Sequence, residues 1–475
     1  SCGSAYFMHG GRLALVFSSV SFLFFFLTVV IALYFLVPGR FRGGRNFVLL
    51  AASLFFYACA GLRALPLLLF SVLLDWGAGL LLPRVRRRKA LLAAAVTLHL
   101  ALLFWFKYAG FAAGVFGIPL PEITLPIGIS FFTFQGLSYV VDVYRGDTPP
   151  NRSLAQVALY ISFFPQLIAG PIVRYTDVAL DMNERRETLD GAAEGAARFI
   201  FGLGKKCILS NALAELSDRA FACTSDELSA GLAWLGMIAY TLHIYYDFSG
   251  YSDMAIGLGR MFGFTYKENF NYPYLSASVS EFWRRWHISL STWFRQYLYI
   301  PLGGNRKGLA RTCVNLFLVF LATGLWHGAS MNFICWGVYY GILIVAERLW
   351  IGRILEKNPL KFLNHLYTLG AVAVGWLLFR VDTLHNGKIL LKAMLIPSKG
   401  LWNPRIFADN RILFLLVLAV VFCGPIQQLM PRLKARLFDE ENVTAADVAV
   451  MAALLLLGTL LMVSSTYQAF IYFRF

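Results

Sequence analysis

The stretch "FLATGLWHGASMNF", Phe320 to Phe333, places one imidazole, His327, between Trp326 and Gly328 in a run otherwise suited to lipid. Between Arg311 and Glu347 no other side chain, cysteine thiols aside, titrates near neutral pH. An ionisable group within a membrane-compatible run is a functional candidate by default. A neutral imidazole can take a proton from a hydroxyl as a general base. The same ring could instead hydrogen-bond a neighbouring helix, and position alone leaves both readings standing.

A second histidine, His287, lies in "SVSEFWRRWHISLSTWFRQYLYIPLGGNRKG", Ser278 to Gly308. Read as one helix, this segment sets Phe282, Trp286, Leu290, Trp293 and Tyr297 on one face and Arg284, Ser291 and Arg295 opposite. That pattern predicts an amphipathic helix over 278–299 lying in the membrane interface, capped by Ser280 and ended by Pro301, Gly303 and Gly304. Glu281 and Arg285 form an i,i+4 pair. His287, on the flank, is either a boundary residue or part of a site. Arg284, Arg285, Arg295, Arg306, Lys307 and Arg311 suit anionic lipid headgroups or a phosphate-bearing donor. No P-loop or GxGxxG element supports a nucleotide fold.

A third stretch, "HIYYDFSGYSDMAIGLGRMFGF" (243–264), holds Asp247 and Asp253 among aromatic and small residues. Intramembrane carboxylates are costly and are normally paired or cavity-facing, so each could orient an imidazole or pair with an arginine. No HExxH or Cys/His spacing indicates a metal.

The elements that must position these groups follow from composition. The 475 residues are 58% hydrophobic and 14% charged, with mean hydropathy +0.63. Soluble domains of every class are far more polar, so the chain is a polytopic membrane protein. Apolar runs fall near 16–37, 47–60, 64–82, 90–116, 125–144, 154–170, 196–214, 228–248, 312–326, 329–346, 365–380, 411–430 and 446–463. Several are short or broken by proline, as in "LYISFFPQLIAGPIV", which predicts re-entrant pieces around a cavity. The uncharged run from Thr312 to Ala346 must be two segments, with the break at "TGLWHGAS" beside Gly324 and Gly328.

The net charge of +16 comes from Lys and Arg spread over short loops, which argues for retention of those loops in the cytoplasm and against nucleic acid. "PGRFRGGR" and "PRVRRRK" (83–89) then lie inside, and the N-terminus and the tail "TYQAFIYFRF" lie on the outer face. Seven scattered cysteines predict neither disulfides nor zinc. Residues 1–15 read as an N-terminal extension and 16–475 as a single transmembrane domain. No internal repeat appears, which weighs against a transporter built from inverted halves.

Taken together, "YYDFSGYSDMAIGLGRMFGF", "ENFNYPYLSASVSEFWRRWHISLSTWFRQYLYIPLGGNRKG", "NLFLVFLATGLWHGASMNFICWGVYYG" and "FIYFRF" resemble the membrane-bound O-acyltransferases. The likeness is strongest to the bacterial branch that O-acetylates alginate, other polysaccharides and peptidoglycan, and it covers essentially the chain after residue 15. It implies an all-α polytopic fold of about 11–13 transmembrane or re-entrant helices ringed around a thinned centre with funnels on both faces. It implies an enzyme of the bacterial cytoplasmic (inner) membrane that holds no permanent cofactor and uses acetyl-CoA or another acyl thioester as donor.

The family's near-invariant intramembrane histidine falls on His327, and its second, more variable histidine falls on His287. Trp326 would line the channel, while Asn315, Asp253 and Asp247 would position groups and Arg284, Arg285 and Arg295 would meet the donor phosphates. In relatives of this branch a motif like "FIYFRF" presents a tyrosine as temporary acyl carrier. Tyr472, in the tail 466–475, matches it and would hand the acyl group to an SGNH-type partner acting on an extracytoplasmic glycan. An aromatic tail anchored at the interface remains the alternative for Tyr472. Other readings of the whole chain are a D-alanyl transferase for teichoic acid, a transporter or flippase, and a non-catalytic scaffold.

Overall fold

The structure, a computed structural model, describes residues 15–121, 123–168, 170–397, 399–426 and 444–464, and every regular element among them is helical. Six helices are long and apolar enough to cross a membrane: Arg42–Leu81, Arg88–Val115, Leu309–His327, Met331–Lys357, Lys361–Arg380 and Ala445–Ser464. Ser21–Leu36 and Asn410–Phe422 are shorter apolar helices. The protein is an all-α, multi-pass membrane protein. Its described residues group into two compact units, one mainly from 15–202 and 251–267, the other mainly from 203–250 and 268–461.

In the first unit the expected short run at 47–60 is part of a longer helix. Arg42–Gly61 ends where the Gly61 backbone is extended, at φ 178° and ψ 97°, and a 3-10 turn, Leu62–Ala64, leads into a second helix, Leu65–Leu81. The helix starts five residues early because its arginines have buried partners. Arg45 Nε donates to the Val37 carbonyl at 2.9 Å and its guanidinium lies 3.0 Å from Glu187, which Arg42 also meets. The Tyr34 hydroxyl donates to the same carboxylate. These arginines are anchors inside the fold rather than free loop charges.

The proline-interrupted run is broken as expected. Leu154–Ser162 ends at Phe163, and a single turn follows at Phe164–Leu167. Side chains occupy backbone groups the break releases: Phe164 N–H donates to Ser53 Oγ at 3.1 Å, and Gln166 Nε2 donates to the Tyr160 carbonyl at 2.5 Å. That satisfaction is what makes a broken helix tolerable away from water. Asp75 and His99, both fully buried, share a 2.7 Å hydrogen bond between neighbouring helices of this unit.

In the second unit the segment 278–299 is two helices. Helix α1, Val279–Arg285, ends at Trp286, and helix α2, Ile288–Phe294, starts after His287, whose φ of 46° lies in the left-handed region. A π-turn, Arg295–Tyr299, follows. Ser278, not Ser280, supplies the cap, accepting from Glu281 N–H at 3.0 Å. The Glu347 carboxylate accepts from the next two free donors, Val279 N–H at 2.7 Å and Ser280 N–H at 2.8 Å. An anion at a helix N-terminus answers both the unpaired donors and the helix dipole. Phe282, Trp286, Leu290 and Trp293 are buried in the core of the unit, whereas Arg284 and Arg295 are exposed. The apolar face therefore meets protein rather than lipid, which is why the segment can afford a bend at His287.

Helices α3, Leu309–His327, and α4, Met331–Ala346, form a tight hairpin. A Cβ on Gly324 would sit 2.4 Å from the Phe333 carbonyl oxygen, and one on Gly337 would sit 2.8 Å from that of Phe320. The chain breaks directly after His327, and Gly324 lies inside the helix. Gly328 is extended, with φ of −177°, which any residue adopts. Space is what demands glycine there, since a Cβ would enter the Phe333 ring at 2.3 Å.

Candidate functional site

His327 is the last residue of α3, so the hairpin geometry places it where the helix stops and α4 has not begun. It is 9% exposed and walled by rings. The centroids of Trp326, Phe379 and Trp336 lie 4.9, 5.0 and 5.2 Å away. Phe379 comes from helix α5, Lys361–Arg380, and the Asn332 amide ties α4 to the Val381 carbonyl just beyond that helix. An imidazole held this way is largely screened from water and kept in place by packing on several sides.

Trp326 is shared between the two histidines. Its ring centroid lies 6.2 Å from that of His287, and the Phe248 ring meets His287 edge-on at 4.6 Å. His287 is 1% exposed. It lies outside the six spanning helices, and burial pushes its pKa down to about 3, which favours the neutral ring. The structure therefore brings His327, Trp326 and His287 into one aromatic-walled cluster.

A residue that the sequence reading missed supports His287. Asn269 is fully buried. Its Oδ1 lies 3.3 Å from His287 Nδ1 and accepts from Ser289 N–H at 3.1 Å and Ser289 Oγ at 2.9 Å. Its backbone carbonyl accepts from Ile288 N–H at 3.0 Å. Nothing in the local pattern marks Asn269, because it lies 18 positions from His287 and meets it only through the bend.

The other candidates have partners of their own. Asn315 donates from Nδ2 to the carbonyls of Gly304 and Leu302, at 2.9 and 3.4 Å, and so pins the "PLGGN" loop to α3. Twelve residues of helix separate it from His327, about 18 Å at 1.5 Å per residue. Asp247 is hydrogen-bonded to Lys206 and lies 3.4 Å from Ser210 Oγ, which bonds His243 Nδ1 at 2.9 Å. Asp253 belongs to the first unit, where Arg198 holds it at 2.6 Å. Both carboxylates thus have cationic partners, the arrangement that intramembrane charge requires. Arg285 pairs with Glu281 at 2.8 Å, leaving Arg284 and Arg295 as the more exposed cations of the segment. Tyr472 and the tail 466–475 lie outside the described residues.

Chemically, the cluster offers a buried imidazole on a helix end, a second neutral imidazole, and an indole between them. Such a set suits proton transfer at a hydroxyl in a water-poor setting.

The chain is similar to known proteins. Residues 150–384, which include both histidines, match the membrane-bound O-acyltransferase family. The chain is 45% identical to a probable alginate O-acetylase of Pseudomonas putida, over 82% of this chain and 81% of that one. It is also 45% identical to the probable alginate O-acetylase of Pseudomonas aeruginosa, over 82% and 76%. A peptidoglycan O-acetyltransferase of Helicobacter pylori is 34% identical, over 80% of each chain. With identity of this extent over four-fifths of its length, the chain belongs to the membrane-bound O-acyltransferase family and is an acyltransferase.

Proposed function

We propose that the protein moves an acetyl group from a cytoplasmic thioester, acetyl-CoA in the simplest case, toward a hydroxyl of an extracytoplasmic polysaccharide, with His327 as general base. The observation that carries this reading is the placement of His327, buried at the end of α3 beside Trp326 and His287, in a chain so similar to probable alginate O-acetylases. Alginate is the polymer named for the 45% relatives and peptidoglycan for the 34% relative.

In this scheme His327 accepts the proton of the attacking hydroxyl while its oxygen bonds to the acyl carbon. The carbon–sulfur bond breaks, and the thiolate leaves on the cytoplasmic side, taking up a proton from the imidazolium or from solvent. The new ester leaves outward. Arg284 and Arg295, exposed on α1 and the π-turn after α2, meet the donor's phosphates. The first hydroxyl to receive the acyl group is that of Tyr472, and an SGNH-type partner then moves it to the glycan. The motif "FIYFRF" supports that relay, and the basic "PGRFRGGR" and "PRVRRRK" segments support a cytoplasmic membrane location with the tail outside.

The test is genetic and chemical. In a host lacking its own copy, the wild-type protein should restore alkali-labile acetate on the secreted polysaccharide, and His327→Ala at equal membrane abundance should not. Restoration by His327→Ala to wild-type level would end the general-base reading.

A further inference from the structure

We infer that Asn269 is a positioning residue that fixes His287 as its Nδ1–H tautomer, which makes Nε2 a proton acceptor; this rests on the acyl-transfer reading of the cluster.

The hydrogen bonds decide the tautomer. The backbone N–H of Ser289 donates to Asn269 Oδ1 at 3.1 Å, which identifies that amide atom as the oxygen. Ser289 Oγ donates to the same oxygen at 2.9 Å, nearer than His287 Nδ1 at 3.4 Å. His287 Nδ1 faces Asn269 Oδ1 at 3.3 Å and Ser289 Oγ at 3.4 Å. A bare Nδ1 would confront two oxygens with no proton to share, whereas Nδ1–H has an acceptor in each. In a neutral imidazole a proton on Nδ1 leaves Nε2 as an acceptor.

The main chain holds the ring's base in the same place. Ile288 N–H donates to the Asn269 carbonyl at 3.0 Å, and Asn271 N–H donates to the Arg285 carbonyl at 2.9 Å. The two bonds clamp the bend from either side of His287. His287 and Tyr272 are the two non-glycine residues at positive φ among those described, at 46° and 45°, and they sit on the two chain segments of this clamp. A left-handed backbone at an ordinary residue persists only where surrounding contacts over-determine it. Four bonds to Asn269 and the bond from Asn271 to Arg285 do so here.

The residue type also matters. A carboxylate at 269 would accept the same bonds but would stabilise the imidazolium, filling Nε2 with a proton. An amide supplies the acceptor without the charge.

The experiment uses full-length protein in lipid with its histidines labelled with 15N. The His287 signals are assigned by their loss in His287→Gln, and acetyl transfer is measured on the same preparations. Wild type should show Nδ1 protonated and Nε2 bare, and Asn269→Asp should keep Nδ1 protonated. Asn269→Leu should lose that signature and lower kcat on the order of 10²-fold with little change in KM. Wild-type His287 protonated at Nε2 alone would overturn the inference, whatever the variants do. So would a folded Asn269→Leu protein, judged by the other histidine signals, that keeps either the tautomer or the wild-type kcat. Failure of the acyl-transfer reading is separately visible: His327→Ala would retain full transfer while the wild-type His287 signature stood.

Discussion

At the scale of single residues, the same side-chain type does different work according to what surrounds it. Asp247 and Asp253 appear in the sequence as candidates for the site, and both turn out to hold cations, Lys206 and Arg198. Sequence can report that a carboxylate is in an apolar stretch, but its partner lies 41 or 55 positions away and only folding brings the two together. Glu187 shows the converse. It drew no notice in the sequence, yet Arg42, Arg45, Arg185 and Tyr34 converge on it. Burial raises its pKa, but the hydrogen bonds from Arg42 and Tyr34 and the charge of Arg42 outweigh that and hold it at about 2. The folded-state value lies below the unfolded value of about 4.3, so the unfolded chain takes up a proton first as pH falls. The stabilisation is complete above the unfolded value and fades as pH drops toward 2. In thermal unfolding of purified protein, Glu187→Gln should therefore melt below wild type at neutral pH, and the gap should close between about pH 5 and pH 2. A gap that stays constant over that range would show that the carboxylate's charge does not matter.

At the scale of elements, periodicity read well and boundaries read poorly. The uncharged run from Thr312 to Ala346 had to be two helices, and the hairpin of α3 and α4 is what its length and glycines demanded. The helix over 278–299 failed at its centre because its face pattern is continuous through Trp286 and Leu290, while the bend at His287 is set by Asn269, outside the segment. Early starts such as Arg42 escaped notice because a buried, paired arginine looks in sequence like an exposed one. The hairpin makes its own prediction. Gly324→Ala places a methyl 2.4 Å from the Phe333 carbonyl oxygen, which is backbone and cannot swing aside. Such overpacking should cost about 1–3 kcal/mol, read as a lowered melting temperature, and should displace His327 enough to reduce transfer. Gly110→Ala, where a Cβ has nothing within 4 Å, is the control and should melt as wild type does. Equal melting of the two variants would contradict the packing argument.

At the scale of the whole molecule, composition established a polytopic helical membrane protein, and the combination of motifs around His287 and His327 pointed to an acyltransferase; family membership agrees on both. What composition could not supply is which of the seven histidines meet. Four of them fall at three kinds of site among the described residues: His99 pairs with Asp75, His243 bonds Ser210, and His287 and His327 flank a common tryptophan. In the proposed mechanism that shared ring marks the pair as the centre of transfer, and the proposed relay carries the acyl group from there to Tyr472.

The most direct test is to reconstitute purified protein in liposomes, supply acetyl-CoA labelled in the acetyl group, and follow label on the protein. Wild type should acquire alkali-labile label, and both His327→Ala and Tyr472→Phe should abolish it while remaining folded. Label that persists undiminished in His327→Ala would contradict the account at its centre.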